Sequence, residues 1–206
     1  MVTQHSAITD PNIHEPKGVA EADSGMVYVA DGAGSGDWQI PFTLVETRTL
    51  TGATSEEFTG LSGYNKLWII GCGIQCTTTQ DLLIQFSTAS TYRTSGYFDG
   101  KVNASASTVT DSDGSGIKLG TYDQAYGIFV AVVSNLNSSA APTTVESSFW
   151  ASSIDFANNY ATDTSVAMNT FGYYPTLEAH EKIKILASGG STLAGSTNSY
   201  LSVYGL

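Results

Sequence analysis

The residues best suited by type to move a proton are two histidine–glutamate neighbours, His14-Glu15 and His180-Glu181. Adjacent residues on a strand point to opposite faces, so neither pair forms a general base with its orienting carboxylate. His14 reads instead as a hydrogen-bonding residue that fixes its own segment. No G-x-S-x-G turn supplies a nucleophile. Asp155, Asp163 and Glu178 are the carboxylates available for a glycosidase pair, and each reads more simply as a solvated loop or edge residue. Hydrolysis is the weakest reading of this chain, and no enzymatic activity is expected.

Metal and cofactor chemistry finds little more. Asp111-Ser-Asp-Gly-Ser-Gly116 opens like a calcium loop, but Tyr122 stands where the twelfth-position carboxylate belongs. Asp111 and Asp113 are the only weak candidates for a metal, and an Asp/Gly turn is the preferred reading. Cys72 and Cys76 lie about 13 Å apart if the strand is extended at ~3.3 Å per residue. That is too far for a disulfide, and the alternation Trp68, Ile70, Cys72, Ile74, Cys76 predicts two buried thiols on one face. The run Gly32-Ala-Gly-Ser-Gly36 lacks the G-K-(S/T) of a phosphate loop and reads as a joint. No cofactor is expected.

Binding is better served than catalysis. Of the 11 tyrosines, several fall in segments that read as loops. Tyrosines in such places stack on sugar rings or anchor interfaces. Tyr173 and Tyr174 beside Pro175, with Tyr92 and Tyr97, are the candidate recognition loop.

The elements that must position these residues are strands. Charged residues make up 13% of the chain, half the ~25% of an average soluble domain, and Ser, Thr, Gly and Asn fill the difference. Residues 1–37 carry one short apolar run, Met26–Ala30, and Pro11 and Pro16 prevent a continuous helix or central strand across TDPNIHEPKG. This part reads as an extended attachment arm, with Pro11, His14, Glu15, Pro16 and Lys17 as its contact residues. Residues 38–206 read as one domain. Ile40–Leu50, Lys66–Cys76, Leu82–Phe86, Ala125–Leu136, Val145–Phe156 and Val166–Tyr174 follow strand patterns, and Ala125–Leu136, apolar on both faces, reads as a central strand. In 181–206, Ile183 and Ile185 alternate with lysines and Leu201 and Val203 with Ser202 and Tyr204, which predicts a terminal hairpin across the Gly/Ser-rich reversal. The fold class expected is all-β, a β-sandwich of jelly-roll type behind an extended arm.

Eight Lys and Arg stand against 19 Asp and Glu, for a net charge of −11. With Lys182 and Lys184 as the densest basic cluster, neither nucleic acid nor an anionic membrane is an expected partner. The segment MVTQHSAITDPN has no apolar stretch of the kind that directs export, so the chain is expected to be made and used without export.

Three blocks resemble a β-domain that recurs in bacteriophage virion structural proteins. FTGLSGYNKLWIIG (58–71) is similar to its F-x-G-(I/L)-x-x-x-Y-K-x-L-x-(I/L) strand, LLIQFSTASTYRTSGY (82–97) to its L-x-I-R-F-N…Y, and EKIKILASGG…LSVYGL to its terminal I-x-I…GG…(L/V)YG(I/L). Gln85 and Ser87 stand where that pattern has Arg and Asn. Residues DPNIHEPKGV…GMVYVADGAGSGDW resemble a leader found on small phage structural proteins. The resemblance implies a homotrimer on the virion surface, a capsid decoration protein, head fibre or tail fibre. Its implied partners are itself, the major capsid protein or another virion protein, and in the tail-fibre case a host surface glycan.

Overall fold

The structure is a computed structural model. It describes residues 27–30, 36–39, 42–76, 78, 80–88, 91–103, 106–108, 114–122, 126–152, 154–155, 160–161 and 166–206. Sixteen strands account for most of these residues, and no α-helix occurs among them.

The chain divides into two compact units at Phe42/Thr43. In the first, β1 (Val27–Ala30) pairs antiparallel with β2 (Gly36–Gln39), with Ala30 opposite Gly36. Pro11, His14, Glu15, Pro16 and Lys17 of the expected arm lie outside the described residues, as does most of the expected joint at 32–36.

The second unit is a sandwich of two antiparallel sheets. Its strands are β3 (Thr43–Thr49), β4 (Ser55–Phe58), β5 (Lys66–Cys76), β6 (Gln80–Ser87), β7 (Phe98–Asn103), β8 (Ala106–Thr108), β9 (Ile117–Tyr122), β10 (Tyr126–Ser134), β11 (Thr143–Ser152), β14 (Val166–Tyr174), β15 (Lys182–Ala187) and β16 (Leu193–Gly205). A small pair, β12 (Ile154–Asp155) with β13 (Tyr160–Ala161), follows β11. The long sheet has the order β3-β16-β5-β10-β11-β14-β7-β8, and the short one β4-β15-β6-β9. From β3 to β6 each strand lies in the sheet opposite its predecessor.

Period-2 patterning explains the core. β15 alternates half-buried and buried, so Ile183 and Ile185 enter the core while Lys182 and Lys184 do not. From the short sheet they are joined by Phe58, Leu82, Ile84, Phe86, Ile117 and Leu119. Leu67, Ile69, Phe129, Val133, Phe149, Leu201 and Val203 meet them from the long sheet. Each such side chain stabilises the fold by about 1.5–3 kcal/mol relative to exposure.

Two expectations are corrected. β15 and β16 are not arms of one hairpin: β15 pairs with β4 and β6, whereas β16 pairs with β3 and β5. The Ser188–Gly190 turn carries the chain from one sheet to the other. Alternation says which face of a strand is buried; it does not name the neighbour.

The second correction concerns β5. Its buried positions run Leu67, Ile69, Gly71 and then Ile74, Cys76, a change of phase at Gly73. Gly73 has φ +65°, and the register of β5 shifts against both β10 and β16 beside it. A bulge of one residue moves every following side chain to the other face. Trp68, Ile70 and Cys72 therefore point away from the core, and only Ile74 and Cys76 point in. Cys76 is buried, its thiol pushed up to about 11 by burial, while Cys72 is a half-buried thiol on the outer face.

Candidate functional site

The histidine with a carboxylate neighbour turns out to be a core residue. His180 is fully buried, and its ring lies 5.0 Å from that of Phe86 and 5.6 Å from that of Tyr174. Neither ring nitrogen has a hydrogen-bond partner. Burial pushes its pKa down to about 4, against a pull upward from Glu178 and a further push down from Arg93. A neutral imidazole sealed from solvent cannot exchange protons with a substrate. Glu178 is engaged as well: Arg93 donates to it from Nε at 2.8 Å and from Nη2 at 2.7 Å. Asp155 is described through its backbone in β12 only, and Asp163, Asp111 and Asp113 lie outside the described residues. Among the described residues no three His, Cys, Asp or Glu side chains stand together as metal ligands.

The four tyrosines expected to form a recognition loop are separated. Tyr97 and Tyr174 are core residues with ring centroids 5.0 Å apart. The hydroxyl of Tyr97 accepts a hydrogen bond from the Phe86 amide at 2.8 Å and donates to the Arg93 carbonyl at 3.1 Å. Burial drives its phenol pKa upward. Tyr92 lies half-buried on the short sheet, beneath the Lys184 ammonium at 4.3 Å from its centroid. Tyr173 alone is exposed, stacked on Phe98 at 5.1 Å. The correction has a simple cause. The segment FGYYP continues β14, where adjacent residues face opposite ways, so Tyr174 enters the core while Tyr173 leaves it.

What the structure does assemble is a face. Five neighbouring strands of the long sheet, β16, β5, β10, β11 and β14, bury one side in the core and leave the other outward. Cross-strand register sets Tyr204, Trp68, Val132, Glu146 and Phe171 in one row. Ser202, Ile70, Val130, Ser148 and Asn169 form the next, and Trp150 stands opposite Ile128 beyond it. Trp68, Trp150 and Phe171 surround a groove of about 710 Å³ whose lining includes Val130, Val132, Glu146 and Asn169. Ser148 donates to the Asn169 side-chain oxygen at 2.9 Å. Trp150 is 51% exposed, Ile128 48% and Phe171 42%. Large apolar side chains grouped this way mark an interaction surface.

Sequence reasoning looked for recognition in loops and missed this face. Two signals pointed to it. β10 is apolar on both sides although only Phe129, Ala131 and Val133 reach the core, and the doublet Phe149-Trp150 must send one ring each way. No protein-family model matches the chain, and no curated protein is found similar to it. The geometry offers a surface for binding.

Proposed function

We propose that this chain is a non-enzymatic structural protein of a bacteriophage virion, a trimeric capsid decoration or head-fibre protein held to the particle by residues 1–37. The observation that carries the reading is strand order. β3-β16-β5-β10 faces β4-β15-β6-β9, with strands crossing between the sheets in the manner of a jelly roll, an architecture frequent in viral shells. Fold alone does not assign a function. The three sequence blocks that resemble phage virion proteins supply the rest. The burial of His180 and the pairing of Glu178 with Arg93 favour a structural role over a catalytic one.

Mass spectrometry of purified particles of the encoding phage, with capsids separated from tails, tests this. Hundreds of copies with the capsids are expected, and a chain missing from both fractions would sink the reading. A chain lacking residues 1–37 is expected to stay folded and lose binding to particles.

A second reading is a glycan-binding tail-fibre module. Trp68, Trp150 and Phe171 around a groove with Glu146 and Asn169 favour it, because sugar rings stack on aromatic faces while carboxylate and amide groups take their hydroxyls. A few copies travelling with tails, together with a glycan-array signal lost in Trp150→Ala, is the result that would select it.

A further inference from the structure

The groove between Trp68, Trp150 and Phe171 mixes two chemistries, and the mixture narrows what can fill it. Of the residues that line it only Glu146 is charged. Among the described residues no cation pairs with that carboxylate. Nearby, the Ser148 hydroxyl takes up the side-chain oxygen of Asn169 and leaves the amide nitrogen as a donor. A charged acceptor and a neutral donor thus stand among exposed aromatic rings.

Most occupants satisfy one half of this lining and offend the other. An acyl chain would cover the carboxylate and the amide without bonding to either. A nucleic acid would bring its phosphates to a site whose one charge has the wrong sign. A protein would find too little area: five strands at ~4.8 Å spacing, five residues along each, present on the order of 400 Å². Doubled for the partner, that is short of the ~1,000 Å² where specific interfaces begin. Strand addition is closed as well, because the central strands are already paired on both sides. A saccharide suits both halves. Its C–H faces stack on the rings, while its hydroxyls donate to Glu146 and accept from Asn169.

Register sets the length of the ligand. Trp68 and Phe171 end one row, three strand spacings apart, which is about 14 Å at ~4.8 Å each. Trp150 lies four residues along β11 from Glu146, about 13 Å at ~3.3 Å per residue. Rings so far apart do not close on one sugar ring, but a chain of several units reaches them together.

We infer that this groove binds an extended oligosaccharide that carries no acidic group. Trp68, Trp150 and Phe171 stack on its units, and Glu146 and Asn169 hold the hydroxyls between them. The inference rests on the glycan-binding reading above and names the ligand class of that site. A uronic, sialic or phosphorylated unit would set its anion against Glu146 in a groove lined by no compensating cation.

A glycan array on the full chain, followed by calorimetry, tests it. The probes are neutral hexose and N-acetylhexosamine chains of about four units, their single sugars, and the same chains with one uronic acid. Neutral chains are expected to bind at least about tenfold more tightly than either of the other two. Glu146→Gln is expected to weaken the neutral chain about threefold, by loss of a charge-assisted hydrogen bond. It spares the uronic chain, so the gap between the two narrows. Trp150→Ala is expected to weaken the neutral chain about tenfold. If that variant does not fold, the indole N–H resonances of the wild-type chain serve, and those of Trp68 and Trp150 should move with the neutral ligand. Equal binding of uronic chains, or of single sugars, overturns the inference and leaves the glycan reading standing. No binding to any probe sinks both. Binding that moves neither indole puts the ligand elsewhere and overturns the inference too. Particle location plays no part, so the virion reading is judged separately.

Discussion

The imidazole of His180 lies against the ring of Phe86, centroids 5.0 Å apart and planes 23° from parallel. A titratable group has been placed where an aromatic hydrocarbon would serve. Its ring nitrogens find no partner, and the core around it accepts only the neutral form.

That placement makes the fold acid-sensitive. The folded pKa, about 4, is below the ordinary value of 6.5, so the unfolded chain takes up a proton that the folded chain refuses. Stability from this group is complete above pH 6.5 and is lost progressively as pH falls towards 4. The shift corresponds to about 3 kcal/mol in total. Denaturant titrations of wild type and His180→Phe at several pH values isolate it from the carboxylates that also titrate in acid. The variant is expected to match or exceed wild type in acid and to lose the slope below pH 6.5. A difference between the two that does not change with pH would refute the assignment.

Tyr97 holds β6 through its hydroxyl. Tyr97→Phe keeps the ring in the core but leaves the Phe86 amide without that partner. A buried unsatisfied amide costs about 1–3 kcal/mol, which lowers Tm by about 2–12 °C in a domain of this size. Calorimetry measures it directly. An unchanged Tm would mean that water or a shifted backbone replaces the hydroxyl.

Gly73 sets the phase of β5. At φ +65° an alanine is strained, and its Cβ would stand 2.7 Å from the Ser199 hydroxyl, which donates to the Gly73 carbonyl at 2.6 Å. Gly73→Ala is expected to cost about 1–2 kcal/mol. Deleting Gly73 has the larger effect, because Ile74, Gln75 and Cys76 of β5 would then change faces. Unfolding curves of the two variants should rank in that order, and equal losses would argue against the bulge as the device that sets register.

Much of the sandwich was legible. β15 alternates residue types cleanly, and its isoleucines, like Leu82, Ile84 and Phe86 of β6 and Leu201 and Val203 of β16, are buried as expected. What could not be read is whatever depends on a partner distant in sequence. The alternation of β5 looks unbroken, because Cys72 and Ile74 are both apolar and a glycine between them is silent about its φ. The reversal after Ala187 is short enough for a hairpin, so the crossing between sheets left no mark on the residues. His180 reads as a polar residue in a polar stretch. Its burial is decided by Phe86 and Tyr174, and neither lies beside it in the chain.

The position of β16 between β3 and β5 also imposes an order in time. Thr47 and Ser202 share a hydrogen bond of 2.8 Å across 155 residues of chain. Until residues 193–205 arrive, β3 and β5 face an empty lane with their amides and carbonyls unpaired, each edge ready to take whatever strand comes first. Closure of the sandwich therefore waits on β16, which follows the other fifteen described strands in chain order, and contacts this distant in sequence slow folding. A chain stopped at Gly190 is expected to aggregate, and a peptide of residues 193–205 added during refolding should compete with that aggregation. If the shortened chain stays soluble and monomeric, the lane is closed by another route.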